Sequence, residues 1–370
     1  MSSGFDVAIV GAGMAGASLA AELAGRASVL LIEGEDQPGY HSTGRSAAFW
    51  AESYGGPFVQ PLTSASGPFL QEQGFLRPRG ALHLADAEGM AALEALESEF
   101  ESKVEFERVG GERLRAIVPG LRSEWAAGLL EPSCADIDVA GLHAFYLARA
   151  RRQGATIVTG AELGSIRRQG GGWALDTRAG RFEAGIVADS AGAWADRVAV
   201  LAGAAPVGLQ PYRRTLIQLR VEPAAPPGLP LVIDSMGRFY FKPEAGGRLW
   251  LSPHDESPCP PCDCAPEEMD VALAIDRLER VVDWRVERVE RSWAGLRSFA
   301  PDRRPVYGFD PLVPGFFWCA GQGGFGIQTA PAAARLAAAL LLGERPELDP
   351  SPYDPARFGA GTAEIELSRT

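Results

Sequence analysis

The sequence predicts a mixed α/β and α+β fold, with a Rossmann-like dinucleotide-binding domain and a second domain built on a mostly antiparallel sheet. Three observations predict it. A glycine-rich turn joins a buried strand to a helix at the start of the chain, and a later turn of small residues repeats that pattern. Between the second turn and a third, glycine-rich turn near the end lies a long segment with many strands and few helices.

The first turn is the most specific of these signals. The strand before it is apolar and β-branched at its end, and the residues after it are strong helix formers. Gly11 allows the tight turn, Gly13 lets a pyrophosphate approach the backbone, and Gly16 lets the helix pack close to the sheet. Glu33 ends the next strand, about 20 residues further on, where an acid can accept the ribose hydroxyls of a dinucleotide. This context favours a dinucleotide site over a purely structural glycine turn.

A polar loop over residues 37–46 helps to distinguish the dinucleotides. An NAD enzyme usually continues directly into its next helix, whereas this loop contains glycines, hydroxyls and one cation, Arg45. Such a loop suits FAD, which lies extended across the sheet and can place phosphate and ribityl oxygens near Ser42, Thr43 and Arg45. An ordinary turn-rich loop is the alternative.

Composition limits the function classes. The chain has 370 residues, 46% hydrophobic and 22% charged, which is enough for two globular domains. Its net charge is -12 and it contains no run of Lys and Arg, so we expect no nucleic-acid partner. The sequence contains no signal peptide and no transmembrane segment, and a soluble cytoplasmic protein is the expectation.

The five cysteines argue against a disulfide framework, because their number is odd. Cys259, Cys262 and Cys264 have the spacing of a metal or redox cluster. No second Cys-x-x-Cys or His pair completes a zinc set, and only His254 is available as a fourth ligand. A Pro-rich exposed loop is the favoured interpretation, and we expect no metal.

The elements of the first half follow from periodicity and turn residues. Residues 76–85 are predicted as one strand that contains Gly80, and residues 88–101 as an amphipathic helix. Residues 139–153 are predicted as a helix, followed by strands between residues 156 and 187. These strands lead to the turn at Ala191, Gly192 and Trp194, whose small residues let the backbone pass close to a cofactor.

The second half supplies the β-rich segment and the return to the first domain. Residues 209–221 and 232–242 are each predicted as one long strand. The last turn, residues 321–329, opens a final helix. We expect the dinucleotide-binding domain to comprise residues 1–75, 135–207 and 299–370, and the second, substrate-binding domain to comprise residues 76–134 and 208–298.

These pieces, in this order, resemble the FAD-dependent D-amino acid oxidase superfamily, and within it bacterial D-arginine dehydrogenase-like enzymes. The matching motifs are GAGMAGAS with Glu33, GYHSTGRSAA, SAGAW, WAGLRSFAPD and GQGGFGIQT. The resemblance implies an FAD-binding domain of the glutathione reductase type. It implies non-covalent FAD, since no cysteine lies near Arg297 to hold the ring. The cofactor contacts that we expect are Gly11, Gly13, Ala15, Gly16, Glu33, Gly34, Ser42, Thr43, Gly44, Arg45, Ser46, Ala47, Ala48, Leu163, Ala191, Gly192, Trp194, Gly323, Gly324, Phe325, Gly326, Ile327 and Gln328.

The resemblance also implies an amino acid substrate. It implies that Arg297 binds the substrate carboxylate, that Arg214 and Tyr240 assist, that Gln328 lies at the reacting centre and that Tyr54 closes the pocket. An arginine is chemically suited to this task, because its planar guanidinium binds a carboxylate in a bidentate manner and Lys cannot. A structural ion pair is the alternative for both arginines.

The sequence departs from D-arginine dehydrogenase at two pocket positions. Gly80 stands where that enzyme has an acid for a cationic side chain, and Phe49 replaces a histidine. Without the acid, a cationic tail would be desolvated with no partner. We therefore expect a D-amino acid with an apolar or uncharged side chain. Hydride transfer from its Cα to flavin N5 would give an imino acid, which hydrolyses to an α-keto acid and ammonia.

Three questions stay open at the level of sequence. The substrate could instead be an N-methyl amino acid, as in sarcosine or glycine oxidases, or a 2-hydroxy acid. A flavin-binding protein without oxidase chemistry is a further alternative, less favoured because the paired arginines would have no purpose. The electron acceptor could be oxygen, or a quinone or dye.

Overall fold

The structure is a computed structural model that describes residues 4–359. The helices in this range are α1 (Met14–Leu23), α2 (Gln60–Glu72), α3 (Met90–Glu99), α4 (Gly111–Ile117), α5 (Val139–Arg152), α6 (Ala195–Leu201), α7 (Glu268–Glu279) and α8 (Ala330–Leu341). The strands in the same range are β1 (Phe5–Val10), β2 (Val29–Ile32), β3 (Phe49–Trp50), β4 (Leu76–Pro78), β5 (Ala81–Ala85), β6 (Glu107–Gly110), β7 (Ala127–Glu131), β8 (Ala135–Ile137), β9 (Thr156–Val158), β10 (Leu163–Gln169), β11 (Gly172–Thr177), β12 (Gly180–Asp189), β13 (Gln210–Glu222), β14 (Leu231–Asp234), β15 (Tyr240–Glu244), β16 (Arg248–Ser252), β17 (Ser257–Pro258), β18 (Arg285–Phe299), β19 (Val306–Phe309) and β20 (Phe316–Ala320).

The chain divides into two compact units. The first comprises Met1–Gly44, Val139–Pro211 and Arg297–Thr370, and the second comprises Arg45–Asp138 and Tyr212–Leu296. The predicted boundary at residue 75 therefore differs from this division, which assigns residues 45–75 to the second unit. Residues 1–3 and 360–370 of the predicted first domain lie outside the described residues.

The first unit contains the Rossmann-like sheet. Strands β9, β2, β1, β12 and β20 are parallel neighbours in that order, and the antiparallel strands β10, β11 and β19 extend the sheet. β1 and β2 are almost wholly apolar because both faces of a parallel sheet are covered. Helix α1, rich in Ala, packs against α5 and α8. The predicted fold of this domain is confirmed.

The second unit contains a nine-stranded sheet, in which β5 and β14 are parallel and the other recorded pairs are antiparallel. The two faces differ in chemistry because side chains alternate along a strand. One face carries the large apolar core, including Leu82, Val232, Phe241 and Leu251. The other face carries a smaller cluster around Ala81, Leu231, Ile233 and Tyr240. The predicted mostly antiparallel sheet is confirmed.

Two predicted strands are wrong as single elements. Residues 76–85 form β4 and β5, which belong to different sheets, because Gly80 breaks the strand with a φ of 74°. Residues 232–242 form the antiparallel pair β14 and β15, joined by a turn in which Gly237 has a φ of 71°. Helix α2 was not predicted, because its Pro, Ser and Gly residues weaken the helical pattern. Within residues 4–359 no helix combines the length and the apolar character needed to cross a bilayer.

Candidate active site and cofactor cradle

The turn after β1 is built so that only glycine fits. Gly11 has a φ of 96°, and an added Cβ there would lie 2.5 Å from the Ser190 carbonyl oxygen. A Cβ on Gly16 would lie 1.9 Å from the Gly11 oxygen. Gly13 is the N-cap residue of α1 and has no side chain to cap the helix, and the first N–H group of α1, that of Met14, donates to the Thr43 hydroxyl instead. The predicted binding of an anion by the N–H groups of the first turn of α1 stays a prediction.

Glu33 lies beside this turn. Its Oε2 accepts the Ala12 N–H at 2.8 Å and its Oε1 accepts the Glu35 N–H at 3.1 Å. The Glu33 carbonyl accepts the Ala161 N–H at 2.7 Å, and a Cβ on Gly34 would lie 3.7 Å from the Glu162 Cα. The segment that leads into Leu163, one of the expected cofactor contacts, therefore lies next to the end of β2.

The predicted flavin loop is attached to the same turn. The Thr43 hydroxyl accepts the Met14 N–H at 2.9 Å. The Gly44 N–H donates to the Gly39 carbonyl at 2.8 Å. His143 was not predicted. Its Nε2 bonds the Ala12 carbonyl at 2.9 Å, and its ring leaves no room for a Cβ on Gly39.

His143 is held as a neutral imidazole. Burial lowers its pKa below the usual 6.5, and the hydrogen bond to Ala12 and the nearby Glu33 oppose this shift only in part. A neutral imidazole that donates Nε2–H fixes the carbonyl of the glycine turn. In the sequence, His143 is a single histidine on the apolar face of α5. Such a histidine is more often a core residue, so the sequence did not indicate its contact with the glycine turn.

The second small-residue turn follows β12. The Ser190 N–H donates to the Val10 carbonyl at 2.9 Å, so this turn lies against the first one. The Asp189 Oδ1 accepts the Ala191 N–H at 3.0 Å. Asp189 is fully buried and its Oδ2 has no hydrogen-bond partner among the described residues. Burial raises its pKa well above 3.8, which favours the protonated carboxyl. Trp194 packs beside His41, with ring centroids 4.7 Å apart.

The glycine turn before α8 is bonded to the end of β18, the strand that contains Arg297. The Gly323 N–H donates to the Ser298 carbonyl at 2.9 Å. A Cβ on Gly323 would lie 2.3 Å from the Phe299 ring, so a side chain there would push this strand away. Arg297 is 7% exposed and Gln328 is 2% exposed. The first unit therefore fixes a buried guanidinium next to the predicted flavin-facing turn.

The second unit gathers four of the predicted substrate residues. The Phe49 ring lies 5.0 Å from the Tyr54 ring and 5.9 Å from the Tyr240 ring. Arg214 is buried, and burial alone would lower its pKa. The nearby phenols of Tyr54 and Tyr240 and the carboxylate of Glu256 outweigh burial and raise it. The preceding residue on β13, Arg213, pairs with Asp270 at 2.9 Å instead, since neighbouring side chains on a strand point to opposite faces.

Arg214 is also held by protein groups. Its Nε donates to the Asp255 carbonyl at 2.8 Å and its terminal nitrogen donates to the Glu256 carboxylate at 2.9 Å. These two bonds fix the orientation of the guanidinium near the two tyrosines. The assisting role predicted for Arg214 stays a prediction.

A buried network around Glu131 was not predicted. The Ser53 hydroxyl donates to Glu131 Oε2 at 2.5 Å, and the His83 Nε2 lies 3.1 Å from the same oxygen. Glu131 Oε1 accepts the Glu52 N–H at 2.8 Å. The network therefore fixes the backbone just before Tyr54.

A second ionic cluster lies on the same sheet face as Tyr240. Lys242 is buried, and its Nζ donates to Asp136 Oδ1 at 2.7 Å. Arg79 donates to the other oxygen of Asp136. Gly80, between Arg79 and β5, donates its N–H to the Cys134 carbonyl at 2.8 Å. Position 80 therefore requires glycine, because the break between β4 and β5 gives this residue a positive φ.

Arg45 has partners within the second unit. Its guanidinium donates to the Cys264 carbonyl at 3.1 Å and to the Ala294 carbonyl at 3.2 Å, and it pairs with Asp263 at 2.5 Å. The Ser46 hydroxyl accepts the Ala48 N–H at 3.1 Å. The predicted contacts of residues 45–48 with the cofactor stay predictions. Among residues 4–359 no group of three or more His, Cys, Asp or Glu is arranged to hold a metal ion.

Comparison with known proteins decides the family. The family described as FAD dependent oxidoreductase (DAO) matches residues 6–340. The chain belongs to the DAO family. The DAO protein is therefore an FAD-dependent oxidoreductase, and FAD is its cofactor.

Two relatives illustrate the similarity. Glycine oxidase of Geobacillus kaustophilus is 27% identical over 379 residues, covering 96% of this chain and 98% of the relative. The crystal structure of glycine oxidase from Geobacillus kaustophilus superposes with a TM-score of 0.84 at 25% identity, covering 95% and 98% of the two chains. L-proline dehydrogenase from P. horikoshii gives a TM-score of 0.83 at 22% identity over 97% and 98%, which supports the fold alone. The expected closeness to D-arginine dehydrogenase is not confirmed by these comparisons.

The residues of the first unit fit FAD. The start of α1, the close turn that Gly11 allows, and the acid directly after β2 match an anionic pyrophosphate with a ribose beside it. Thr43 and His143 hold the walls of this cradle in place.

Proposed function

We propose that this DAO protein oxidises the Cα–N bond of a D-amino acid with an apolar or uncharged side chain to the imino acid, which then hydrolyses to an α-keto acid and ammonia. The observation that carries the proposal is the buried Arg297, attached through Ser298 to the glycine turn before α8. A buried guanidinium is the strongest side-chain partner for a carboxylate, because it can donate two parallel hydrogen bonds.

The chemistry of the second unit supports an uncharged side chain. Phe49, Tyr54 and Tyr240 form an aromatic cluster with apolar neighbours. Two buried or half-buried carboxylates of this unit already have protein partners, Glu131 with His83 and Ser53, and Asp136 with Lys242 and Arg79. A cationic substrate tail would therefore lose its hydration without gaining an anion.

Each residue has a defined part in the proposed reaction. Bound FAD supplies the two-electron acceptor for the hydride that leaves the substrate Cα. Arg297 orients the substrate through its carboxylate, and Tyr54 and Tyr240 exclude water from the substrate. The backbone N–H dipoles of the turn at residues 323–328 would offset the negative charge of the reduced flavin. His83 is engaged with Glu131, so the amine loses its proton to water, before Tyr54 closes the pocket, rather than to this histidine.

A second candidate is the oxidation of glycine or an N-methyl amino acid. The similarity to glycine oxidase over 96% of this chain favours it. The same Arg297 would bind the carboxylate of these substrates, and the same apolar cluster would face a small group. A 2-hydroxy acid is a further alternative. We also propose that FAD is held non-covalently and that oxygen, or a quinone or dye, reoxidises it.

Anaerobic flavin reduction tests these proposals. The purified holoenzyme is mixed without oxygen with D- and L-amino acids, glycine, sarcosine and 2-hydroxy acids, and the flavin absorbance is followed. Rapid bleaching by uncharged D-amino acids is expected, and preferred bleaching by glycine or sarcosine would instead select the second candidate. A strong preference for D-Arg contradicts the proposed side-chain class. Admitting air afterwards shows whether oxygen is the acceptor.

A further inference from the structure

The Cys259-Pro-Pro-Cys262 segment has no part in the function proposed above. It follows β17 in the second unit and precedes α7. The two sulfur atoms lie 3.6 Å apart, and both residues are partly exposed. The other three cysteines, Cys134, Cys264 and Cys319, are buried. The segment therefore presents the two accessible thiols of the described chain in contact with each other.

We propose that Cys259 and Cys262 form a redox-active dithiol site, which hydrogen peroxide converts to an intramolecular disulfide. A disulfide needs a sulfur–sulfur distance of about 2 Å. The present 3.6 Å is van der Waals contact, so rotation of the two side chains closes most of the gap. Pro260 and Pro261 restrict the backbone between the thiols, which lowers the entropy cost of bringing them together.

The segment is held in place at its far end. The Asp263 carboxylate and the Cys264 carbonyl both bind the guanidinium of Arg45. Arg45 in turn bonds the Ala294 carbonyl of β18. Because these contacts anchor the residues directly after Cys262, the two sulfurs stay near each other in the reduced protein.

The reaction balances with hydrogen peroxide as the oxidant. The Cys262 sulfur attacks one peroxide oxygen, the O–O bond breaks, and the displaced hydroxide takes the thiol proton to leave as water. The Cys259 sulfur then attacks the resulting sulfenic acid, the S–O bond breaks, the S–S bond forms, and a second water leaves. Two thiols and one peroxide thus give one disulfide and two waters.

The order of attack follows from the local environment. Burial, the sulfur contact with Cys262 and the nearby negative charge raise the pKa of Cys259 to about 11. Cys259 therefore keeps its proton at neutral pH and can donate it toward the sulfur of Cys262. We assign the first attack to Cys262 and the resolving step to Cys259, and the variants below test this order.

Thiol mapping on the intact holoenzyme tests the proposal. The protein is reduced, freed of reductant, treated with stoichiometric hydrogen peroxide, unfolded in the presence of an alkylating reagent and digested for mass spectrometry. We expect the loss of two alkylatable thiols, a cross-link between Cys259 and Cys262, and full recovery of both thiols with dithiothreitol. Cys134, Cys264 and Cys319 should stay alkylatable.

Matched variants separate this site from other thiol chemistry. Cys264→Ser should leave the cross-link intact, whereas Cys259→Ser should abolish it and leave a sulfenic acid on Cys262 that dimedone traps. Cys262→Ser should leave Cys259 reduced. The proposal is overturned if wild-type Cys259 and Cys262 both remain alkylatable, if oxidation stops at one cysteine, or if the reduced protein binds zinc through these thiols. The mapping does not depend on the substrate, so its outcome is independent of the function proposed above.

Discussion

The buried carboxylate of Glu131 holds the chain just before Tyr54, because it accepts the Glu52 N–H at 2.8 Å while His83 Nε2 lies 3.1 Å from its other oxygen. Burial alone would raise the pKa of Glu131. The hydrogen bonds from His83 and Ser53 outweigh burial and lower that pKa, so the group is a carboxylate at neutral pH. Glu131 therefore acts as a positioning residue for Tyr54.

Glu131→Gln should loosen this segment. The amide presents two N–H groups where Ser53 and His83 meet a carboxylate oxygen, so at least one buried polar group loses its partner. We expect a stability loss of about 1–3 kcal/mol. If Tyr54 closes the substrate pocket, KM should rise several-fold while kcat changes little. Glu101→Gln, at an exposed position of the same unit, is the control. Unchanged KM and Tm in Glu131→Gln would show that the network does not position Tyr54.

Arg297→Lys tests the carboxylate-binding role. Lysine keeps the positive charge but cannot donate two parallel hydrogen bonds. We expect kcat/KM for the best amino acid to fall at least about tenfold, which corresponds to about 1.4 kcal/mol, and Arg297→Ala to remove most of the activity. Steady-state kinetics beside the exposed control Arg345→Lys measure this effect. Wild-type kinetics in Arg297→Lys would assign the guanidinium to a structural ion pair instead.

The contrast between these sites shows what a sequence can predict. The glycine turn and Glu33 were predicted because a dinucleotide is recognised by one short, contiguous stretch whose geometry requires glycine. The Glu131 network was not, because its partners Ser53 and His83 lie 78 and 48 residues away along the chain. Gly80 was recognised as unusual, but only the structure shows that its positive φ divides two strands between two sheets.

Gly16→Ala should damage the cofactor cradle. The added methyl group would lie 1.9 Å from the Gly11 carbonyl oxygen, so α1 must move away from the turn. We expect a lower FAD-to-protein ratio after gel filtration and a destabilisation of about 1–3 kcal/mol. Gly228→Ala is the matched control, since a Cβ there meets no described atom within 4 Å. Full FAD occupancy in Gly16→Ala would contradict the close packing of α1 on the turn.

Asp189→Asn should change the pH dependence of stability. The pKa of Asp189 is raised well above 3.8 by burial, so the folded protein holds a proton that the unfolded chain releases. Stability must therefore fall as the pH rises from 3.8 through the raised pKa. Asparagine does not titrate, and the Tm of the variant should fall less between pH 5 and pH 8 than that of the wild type. The same substitution at the exposed Asp36 is the control, and parallel Tm curves for Asp189→Asn and wild type would refute a protonated Asp189.

For His143 we expect the opposite dependence of stability on pH, with stability lost on the acid side. Its pKa is lowered below 6.5 in the folded protein, so the unfolded chain takes up a proton first as the pH falls. The stabilisation is complete above about pH 6.5 and is lost as the pH falls through the lowered pKa. His143→Gln keeps an N–H donor without titrating, so its Tm should decline less than that of the wild type between pH 7 and pH 5.

A second variant separates this titration from the hydrogen bond itself. His143→Phe leaves the Ala12 carbonyl without its donor, which costs about 1–3 kcal/mol. Because that carbonyl belongs to the glycine turn, the Kd for FAD should rise at every pH, whereas His143→Gln should bind FAD almost as tightly as the wild type at pH 7. Equal FAD affinity in the Phe and Gln variants would mean that the imidazole fills space beside Gly39 without orienting the turn.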